Sequence, residues 1–358
     1  MITVSTDVLS LALDKLYQAI DKKVGLEELR TIQIKAKNGT LILAARNRTA
    51  GGQAYISEDV ETKGDFYFGI SGGYFKDIVS RMEKGRQINI VLEKPHAIIS
   101  DECSTFRLNY YTEIPPLEDL ELEYTPVDVS KLMAALKKVY FPDTLEDINS
   151  KIKGVYIDNE NIVSTNRWCL NVLKNDILRV KSPIRFGEDS VKRMIGVFSK
   201  LGPEGGVFET PHALALHAGG FYFRTLLLPE SYPDYKRLIP KKAPSLCVVN
   251  KHSLTSALNR VLVISETKTV NIEIEEQNMY LSCTGPHGNS SETLECESNI
   301  RTRLSINGKI LLDTLSRLEE SSVSIELRKN KTDGSPEVIL FREKDFVSAI
   351  APIAPSKG

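Results

Sequence analysis

Val4-Ser5-Thr6-Asp7-Val8-Leu9 sets a small polar residue behind one apolar residue and places a second apolar residue four positions on. The arrangement returns at Ile70-Ser71…Phe75, Val127-Asp128…Leu132, Phe186-Gly187…Val191, Val249-Asn250…Leu254 and Ile306-Asn307…Leu311. Such a stretch starts a helix: the small polar side chain, or glycine, caps the first free amides and the apolar pair staples the entry angle. Successive starts lie 66, 57, 59, 63 and 57 residues apart. A repeat on that scale governs the architecture and precedes the reading of any single residue.

The residues after each start strengthen the pattern. Leu9-Leu13-Leu16-Ile20, Phe75-Ile78-Val79-Met82, Leu132-Ala135-Leu136-Val139, Val191-Met194-Ile195-Phe198, Leu254-Leu258-Val261 and Leu311-Thr314-Leu315-Leu318 have the three-four spacing of helices with one buried face. The predicted helices span 6–23, 72–84, 129–138, 188–200, 251–262 and 308–320. Two alternating runs about a turn come after each: 31–37 with 40–45 around Asn38-Gly39, 88–93 with 97–100, 152–158 with 161–165, 206–210 with 213–218, 270–275 with 279–284, and 323–328 with 337–341. A unit of roughly sixty residues with one helix cannot easily bury its apolar faces alone. Paired units give an α+β protein of three similar domains, 1–124, 125–242 and 243–358, jointed near Tyr124-Thr125-Pro126 and Ile239-Pro240-Lys241-Lys242-Ala243-Pro244.

Composition excludes several classes. A formal charge of −1 with 26% charged residues describes a globular protein rather than a strongly basic one. No apolar run approaches the roughly twenty residues of a membrane span, and the N-terminus enters the first helix start directly, without room for a signal peptide. Cys103, Cys169, Cys247, Cys283 and Cys296 are dispersed and odd in number, which suits buried thiols in a reducing cytoplasm and neither disulfides nor zinc. His212 and His217 lack a zinc-helix spacing and read as strand histidines; the Gly-Gly pairs lack the Lys-Ser/Thr of a phosphate loop. Nothing points to catalysis, a metal or a cofactor.

Charge is distributed unevenly. The predicted helices hold 16 Lys/Arg against 10 Asp/Glu, a net of +6, leaving −7 for the rest. Lys22, Lys23, Arg81, Lys137, Lys138, Lys192, Arg193 and Arg260 lie off the apolar stripes, and Lys151 joins the same basic set. A shared surface of this kind would hold a phosphate backbone without reading sequence. The competing reading is that Lys and Arg simply favour exposed helix faces, and Asp313, Glu319 and Glu320 make the sixth helix an exception.

Ser231-Tyr232-Pro233-Asp234-Tyr235-Lys236-Arg237-Leu238-Ile239-Pro240 resembles the aromatic-Pro-Asp-Tyr-basic-basic-aliphatic-aliphatic-Pro signature of the bacterial sliding clamps, the beta subunits of DNA polymerase III. It falls where that family joins its second and third domains. Gly154-Val155-Tyr156 and Thr165…Leu170 extend the resemblance, which covers essentially the whole chain. The resemblance implies a DNA-clamp fold in which two protomers close head to tail into a homodimeric ring, helices lining the hole and sheets outside. It also implies the role of a processivity factor that encircles double-stranded DNA and tethers DNA polymerase, the clamp loader and other clamp-binding proteins. Phe106 and Leu108 match one side of the family's protomer interface, and Val263 and Ile264 match the other; the alternative for all four is domain core.

The family's partner-peptide pocket implies a wall of Ile152, Thr165, Leu170, Pro233, Arg237 and Leu238, with Ala351-Pro352-Ile353 replacing Met-Pro-Met. Arg167-Trp168-Cys169 replaces Gly-His-Arg, putting Arg167 and Trp168 at the rim. The tail runs Ala354-Pro355-Ser356-Lys357-Gly358 rather than ending in Arg-Leu. Losing two methionines removes adaptable apolar surface, so an altered peptide preference is expected. Two other readings stay open: a specialised, phage or plasmid clamp-fold protein with other partners or no DNA encirclement, and a hydrolase on an unfamiliar α+β scaffold.

Overall fold

The computed structural model describes residues 1–20, 30–117, 123–141, 152–229, 232–239, 245–329 and 336–353. In chain order the elements are β1 (Ile2–Ser5), α1 (Thr6–Leu16), β2 (Thr31–Lys37), β3 (Thr40–Arg46), β4 (Ala50–Ile56), β5 (Val60–Thr62), β6 (Phe66–Ser71), α2 (Gly72–Val79), β7 (Gln87–Glu93), β8 (His96–Ser100) and β9 (Thr105–Tyr111). Next come β10 (Thr125–Asp128), α3 (Val129–Val139), β11 (Val155–Ile157), β12 (Asn161–Thr165), β13 (Cys169–Lys174), β14 (Ile184–Phe186), α4 (Glu188–Phe198), β15 (Glu204–Glu209), β16 (Ala213–Ala218) and β17 (Phe221–Leu226). After a 3-10 turn at Tyr235–Leu238 come β18 (Ser245–Asn250), α5 (Lys251–Val261), β19 (Thr269–Ile274), β20 (Asn278–Gly285), β21 (Gly288–Ser298), β22 (Thr302–Asn307), α6 (Gly308–Arg317), β23 (Ser322–Lys329), β24 (Pro336–Arg342) and β25 (Phe346–Ile350).

Each of the six predicted helix starts ends a strand and opens a helix. Four of the starts are held by a device that the sequence pattern does not display. Thr6 N donates to Arg86 O at 2.9 Å, Val129 N to Pro203 O at 2.9 Å, Lys251 N to Ser321 O at 2.8 Å and Gly308 N to Lys268 O at 2.7 Å. Each acceptor sits just before β7, β15, β23 or β19, the strand that pairs with the one leading into that helix. Side-chain caps of the expected kind form at Asp128 to Lys131 N, at Asn250 to Ser253 N and at Asn307 to Lys309 N and Ile310 N. Ser5 and Ser71 make none, a correction to the expectation from their position.

Five of the six helices also stop sooner than predicted, α3 alone running one residue further, to Val139. After Leu16, Gln18 N and Ala19 N reach back only three residues, to Lys15 O and Leu16 O, so α1 tightens into a turn while Ala19 and Ile20 stay buried. The apolar stripe therefore outlasts the helix that it suggested. His217 lies on β16 as expected, whereas His212 lies in the turn before it.

The chain forms two compact units. The first comprises Met1–Lys137 with Ile177–Pro229, and the second Lys138–Asp176 with Glu230–Gly358. In the first, antiparallel strands run in the order β10-β15-β16-β17-β4-β3-β2-β6-β9-β8-β7-β1-β5. The turn between β2 and β3 uses Asn38 and Gly39 with φ of 51° and 73°, the left-handed pair that a tight hairpin requires. Leu9, Leu13 and Leu16 of α1 and Phe75 and Val79 of α2 are buried, as are Ile32, Ile34, Leu41 and Leu43.

In the second unit the strands run β11-β12-β13-β25-β24-β23-β18-β21-β20-β19-β22. Leu254, Leu258 and Val261 of α5 and Leu311 and Leu315 of α6 pack with Val270, Ile272, Leu281, Val323 and Ile325 in one core. A smaller core of Val163, Leu170, Val172, Tyr235, Leu340 and Ala349 covers another part of the β12-β13-β25-β24 region. Residues 125–242, the predicted central domain, thus contribute to both units: β17 pairs with β4 in one and β13 with β25 in the other.

Candidate functional site: a basic helix cluster, a hairpin pocket and two strand edges

In the first unit, Lys15 on α1 donates through Nζ to Ser199 O at 2.8 Å. Burial, then Lys200 and more weakly Lys137, push the Lys15 ammonium below the usual lysine value against the opposing pull of Asp14. Mutually repelling ammonium groups from the ends of α1, α3 and α4 therefore share one neighbourhood, an arrangement suited to a phosphate chain. Lys137 was among the predicted basic residues; Lys15 and Lys200 were not, because only the fold brings three helix ends together.

The other predicted basic residues divide by what they touch. Lys137 and Lys192 are exposed on α3 and α4, and Arg81 is exposed beside Asp77. Arg193 is engaged within the protein: only 15% of its side chain is exposed, and it bonds Asp189 Oδ2 at 2.6 Å, Ile20 O at 3.0 Å and Gln18 O, fastening α4 to the end of α1. Lys138 is engaged likewise: in the second unit its Nζ meets Glu319 at 2.5 Å and Glu343 at 3.4 Å and lies over the Phe346 ring. Arg260 makes a two-point contact with Glu292, at 2.7 and 2.9 Å, which holds its guanidinium against β21. Lys22, Lys23 and Lys151 fall outside the described residues.

Residues 166–168 of the second unit form the loop between β12 and β13. Asn166 Oδ1 accepts from Trp168 N at 3.1 Å and Cys169 N at 2.8 Å, while Asn166 N donates to Cys169 O. Thr165 Oγ1 donates to Cys169 O at 2.8 Å and accepts from Arg167 N, and Arg167 takes a φ of 81°. This tight loop presents Trp168 with 48% of its surface exposed and leaves Arg167 exposed beside it. The main chain also fixes the C-terminal segment, since Ala351 N donates to Trp168 O at 2.8 Å.

Beneath the loop, Leu170 is buried with Tyr235 in the smaller core, and Ile152 is half-buried. Tyr235 anchors its 3-10 turn: its hydroxyl donates to Asp158 at 3.2 Å and accepts from Asn161 at 2.9 Å, and its ring meets Tyr156 and Tyr232, themselves stacked 4.7 Å apart. Pro233, Arg237 and Leu238 are consequently turned outward and exposed. The structure joins Thr165, Trp168, Leu170 and Ala351 through direct bonds or the loop itself. Pro352 and Ile353 are half-buried, and Ile353 N donates to Ser305 O instead. Sequence reasoning noted Tyr156 without a role and missed Asp158 and Asn161; all three hold the motif's Tyr235. The tail from Ala354 to Gly358 is outside the described residues.

The predicted interface residues lie at strand and helix ends. Phe106 on β9 is 38% exposed and lines a cavity of about 330 Å³ with Tyr74, Ile78, Met82 and Arg81. Leu108, two residues on, is half-buried. Residues 105–109 pair with β8 on one side, and no partner strand lies on the other side among the described residues. In the second unit Val263 is 79% exposed just past α5, beside half-buried Ile264. A Cβ on Gly285 would stand 2.1 Å from Ile264 O, so this corner tolerates only glycine there. Residues 288–294 of β21 pair with β20 alone among the described residues.

Among the described residues no group of three or more His, Cys, Asp or Glu could hold a metal ion, and no helix is long and apolar enough to cross a membrane. A family model for the C-terminal domain of the DNA polymerase III beta subunit matches residues 236–350. The beta sliding clamp of Helicobacter pylori strain ATCC 700392 / 26695 is 26% identical over 345 residues, covering 88% of each chain. That of Streptomyces coelicolor is 22% identical and covers 98% of each. Among solved structures, the DNA polymerase III beta subunit of Thermotoga maritima superposes with a TM-score of 0.89 at 21% identity, covering 99% of both chains. The sliding clamp of Bartonella birtlesii bound to griselimycin matches with a TM-score of 0.89 at 19% identity over 99% of both chains.

Proposed function

Because the chain is a divergent member of the bacterial sliding-clamp family, the DNA polymerase III beta subunits, and so a clamp and not an enzyme, we propose that two copies close head to tail into a ring around duplex DNA. On this reading 1–124, 125–242 and 243–358 are three clamp domains and the six helices face the hole. The observation that carries the proposal is the convergence of Lys15, Lys137 and Lys200 from three helix ends, with Lys15 depressed by burial and its like-charged neighbours. Phosphate contacts of this kind position a protein on DNA without selecting sequence, so the ring can slide. The one-sided edges at 105–109 and 288–294 support closure, with Val263 and Ile264 of one copy entering the cavity beside Phe106 and Leu108 of the other. An interface between different patches that closes after two copies yields a ring rather than a filament. The cytoplasm, where bacterial DNA is replicated, is the corresponding location.

Retention on DNA tests this. After loading by a cognate loader, the protein should remain on a closed circle and leave the same DNA once linearised; equal loss from both would overturn encirclement.

The partner-binding surface is assigned to the hairpin pocket: Ile152, Thr165, Arg167, Trp168, Leu170, Pro233, Arg237, Leu238, Ala351, Pro352 and Ile353. DNA polymerase, clamp loader and other proteins with a short apolar motif are its proposed partners. The exposed Trp168 beside Arg167 favours a peptide preference of its own, with an aromatic face and a guanidinium at the rim.

A further inference from the structure

The loop that bears Trp168 has a counterpart in the first unit. Between β3 and β4, Asn47 Oδ1 accepts from Thr49 N at 2.8 Å and Ala50 N at 2.8 Å, while Asn47 N donates to Ala50 O at 2.7 Å. Asn166 makes the same three bonds around Asn166-Arg167-Trp168-Cys169, so Asn47-Arg48-Thr49-Ala50 repeats the asparagine-capped part of that loop. The likeness continues outward. Leu226 N donates to Thr49 O at 2.9 Å, as Ala351 N does to Trp168 O at 2.8 Å, in each case from the chain leaving the strand paired to the loop's second strand.

The first-unit loop borders a cavity of about 280 Å³. Gln33, Gln53 and Tyr222, all more than nine-tenths buried, lie in its wall, with Pro116, Leu117 and Leu226 as apolar surface. Exposed Arg48 lines its mouth, and Arg46 and Arg224, which have partners of their own, complete the wall. Asn47 Nδ2, on the same lining residue, is buried and has no hydrogen-bond partner among the described residues. A buried donor without an acceptor is costly, and an oxygen of a bound ligand would satisfy it. Guanidinium groups present paired donors that suit carboxylates.

We propose that this cavity is a second peptide-binding site, which takes an extended segment of a partner protein through an acidic side chain and an adjoining leucine-like residue. The carboxylate is held by Arg48 and accepts from Asn47 Nδ2, and the apolar side chain lies against Pro116 and Leu117. The cavity's own residues carry this assignment. It rests on the reading of the Trp168 pocket only for the comparison of the two loops. A peptide is favoured over nucleic acid because none of the helix-borne lysines lines the cavity and its wall is partly apolar.

The test is fluorescence anisotropy of the full-length protein with a labelled blocked peptide of sequence Leu-Glu-Leu-Asp-Leu, alongside its Gln/Asn version and a labelled single-stranded oligonucleotide. The acidic peptide should bind, and the neutral version should bind at least about tenfold more weakly. Arg48→Glu, on an exposed side chain, should weaken the acidic peptide at least about tenfold. Asn47→Asp keeps the loop-capping oxygen and replaces the orphan donor, and should weaken it similarly. Trp168→Ala should leave it unchanged, which separates failure here from failure of the other pocket. Binding lost in Trp168→Ala but kept in Arg48→Glu would overturn the proposal, as would equal binding of both peptides, no binding, or an Arg48-dependent preference for the oligonucleotide. Leu117 is followed in sequence by Glu118-Asp119-Leu120-Glu121-Leu122-Glu123. Binding that appears only after Glu118→Gln, Asp119→Asn and Glu121→Gln would assign the cavity to the chain itself and overturn the proposal in that form.

Discussion

Arg317 reaches from α6 to the last turn of α3, where its Nη1 donates to the main-chain oxygen of Lys138 at 2.9 Å. The same guanidinium, only 8% exposed, grips Asp313 at 2.8 Å and lies over the Phe141 ring. One residue on from Lys138, Val139 O accepts from the buried Asn171 side chain at 3.2 Å. Arg317→Leu should therefore lower the stability of the native chain by about 2 kcal/mol, since it strands a carbonyl and half-buried Asp313 together. Chemical denaturation measures this, and an unchanged midpoint would show that the interaction adds nothing.

For DNA, Lys137→Ala with Lys200→Ala should reduce the dependence of log affinity on log salt by about two, one for each phosphate left without its ammonium. Lys138→Met and Arg193→Met should instead lower thermal stability and leave that slope unaltered, because both side chains are occupied within the protein. Parallel titrations across ionic strength separate the two groups.

Val263 carries almost no burial in the single chain. Val263→Asp should thus leave the melting temperature of the protomer nearly unchanged while weakening self-association at least about hundredfold. Sedimentation across a concentration series reads the outcome; an undisturbed dimer would move the interface elsewhere.

Trp168 is the chain's only tryptophan, so its emission reports on the hairpin pocket directly. A standard clamp-binding peptide should shift that emission, and Trp168→Ala should weaken the peptide about tenfold or more while leaving the fold intact. Unchanged affinity in the variant would argue against the aromatic rim as a binding element.

Burial pushes the Cys169 thiol up to about 11, with Ser348 and Thr314 partly opposing, and the Cys247 thiol up to about 12. The folded state keeps these protons after the unfolded chain begins to lose them near pH 9, so stability falls as pH rises through the window from about 9 to 12. Denaturation midpoints at pH 8 and pH 10 check the sign. Under native conditions a thiol reagent should find exposed Cys103 quickly and the four buried cysteines only on unfolding.

The helix starts were legible because a cap and an apolar stripe are local signals, and all six appear. The lengths were not, because Ala19 and Ile20 remain buried in a turn that continues the stripe without the helix. Among the basic residues, sequence could not tell Lys137 from its neighbour Lys138: one residue of helix rotation turns the second toward Glu343 and Phe346. Lys15 and Lys200 escaped notice for the converse reason, since their meeting depends on a hydrogen bond between residues 184 positions apart. In the motif at 232–239, Tyr235 is the structural residue and its neighbours are the exposed ones, a distinction set by Asp158 and Asn161, which flank the turn between β11 and β12.

The amides of Thr6, Val129, Lys251 and Gly308 each find their acceptor in the other member of a helix–strand pair, next to the strand that completes the sheet. Any of these four sixty-residue copies cut free would keep its composition and its apolar stripe yet begin its helix with an unanswered donor. The motif can be copied along a gene one at a time, but it can fold only in company. Ancestry and cooperativity thus have different units in this chain, and a truncation that respects the repeat would still break the protein.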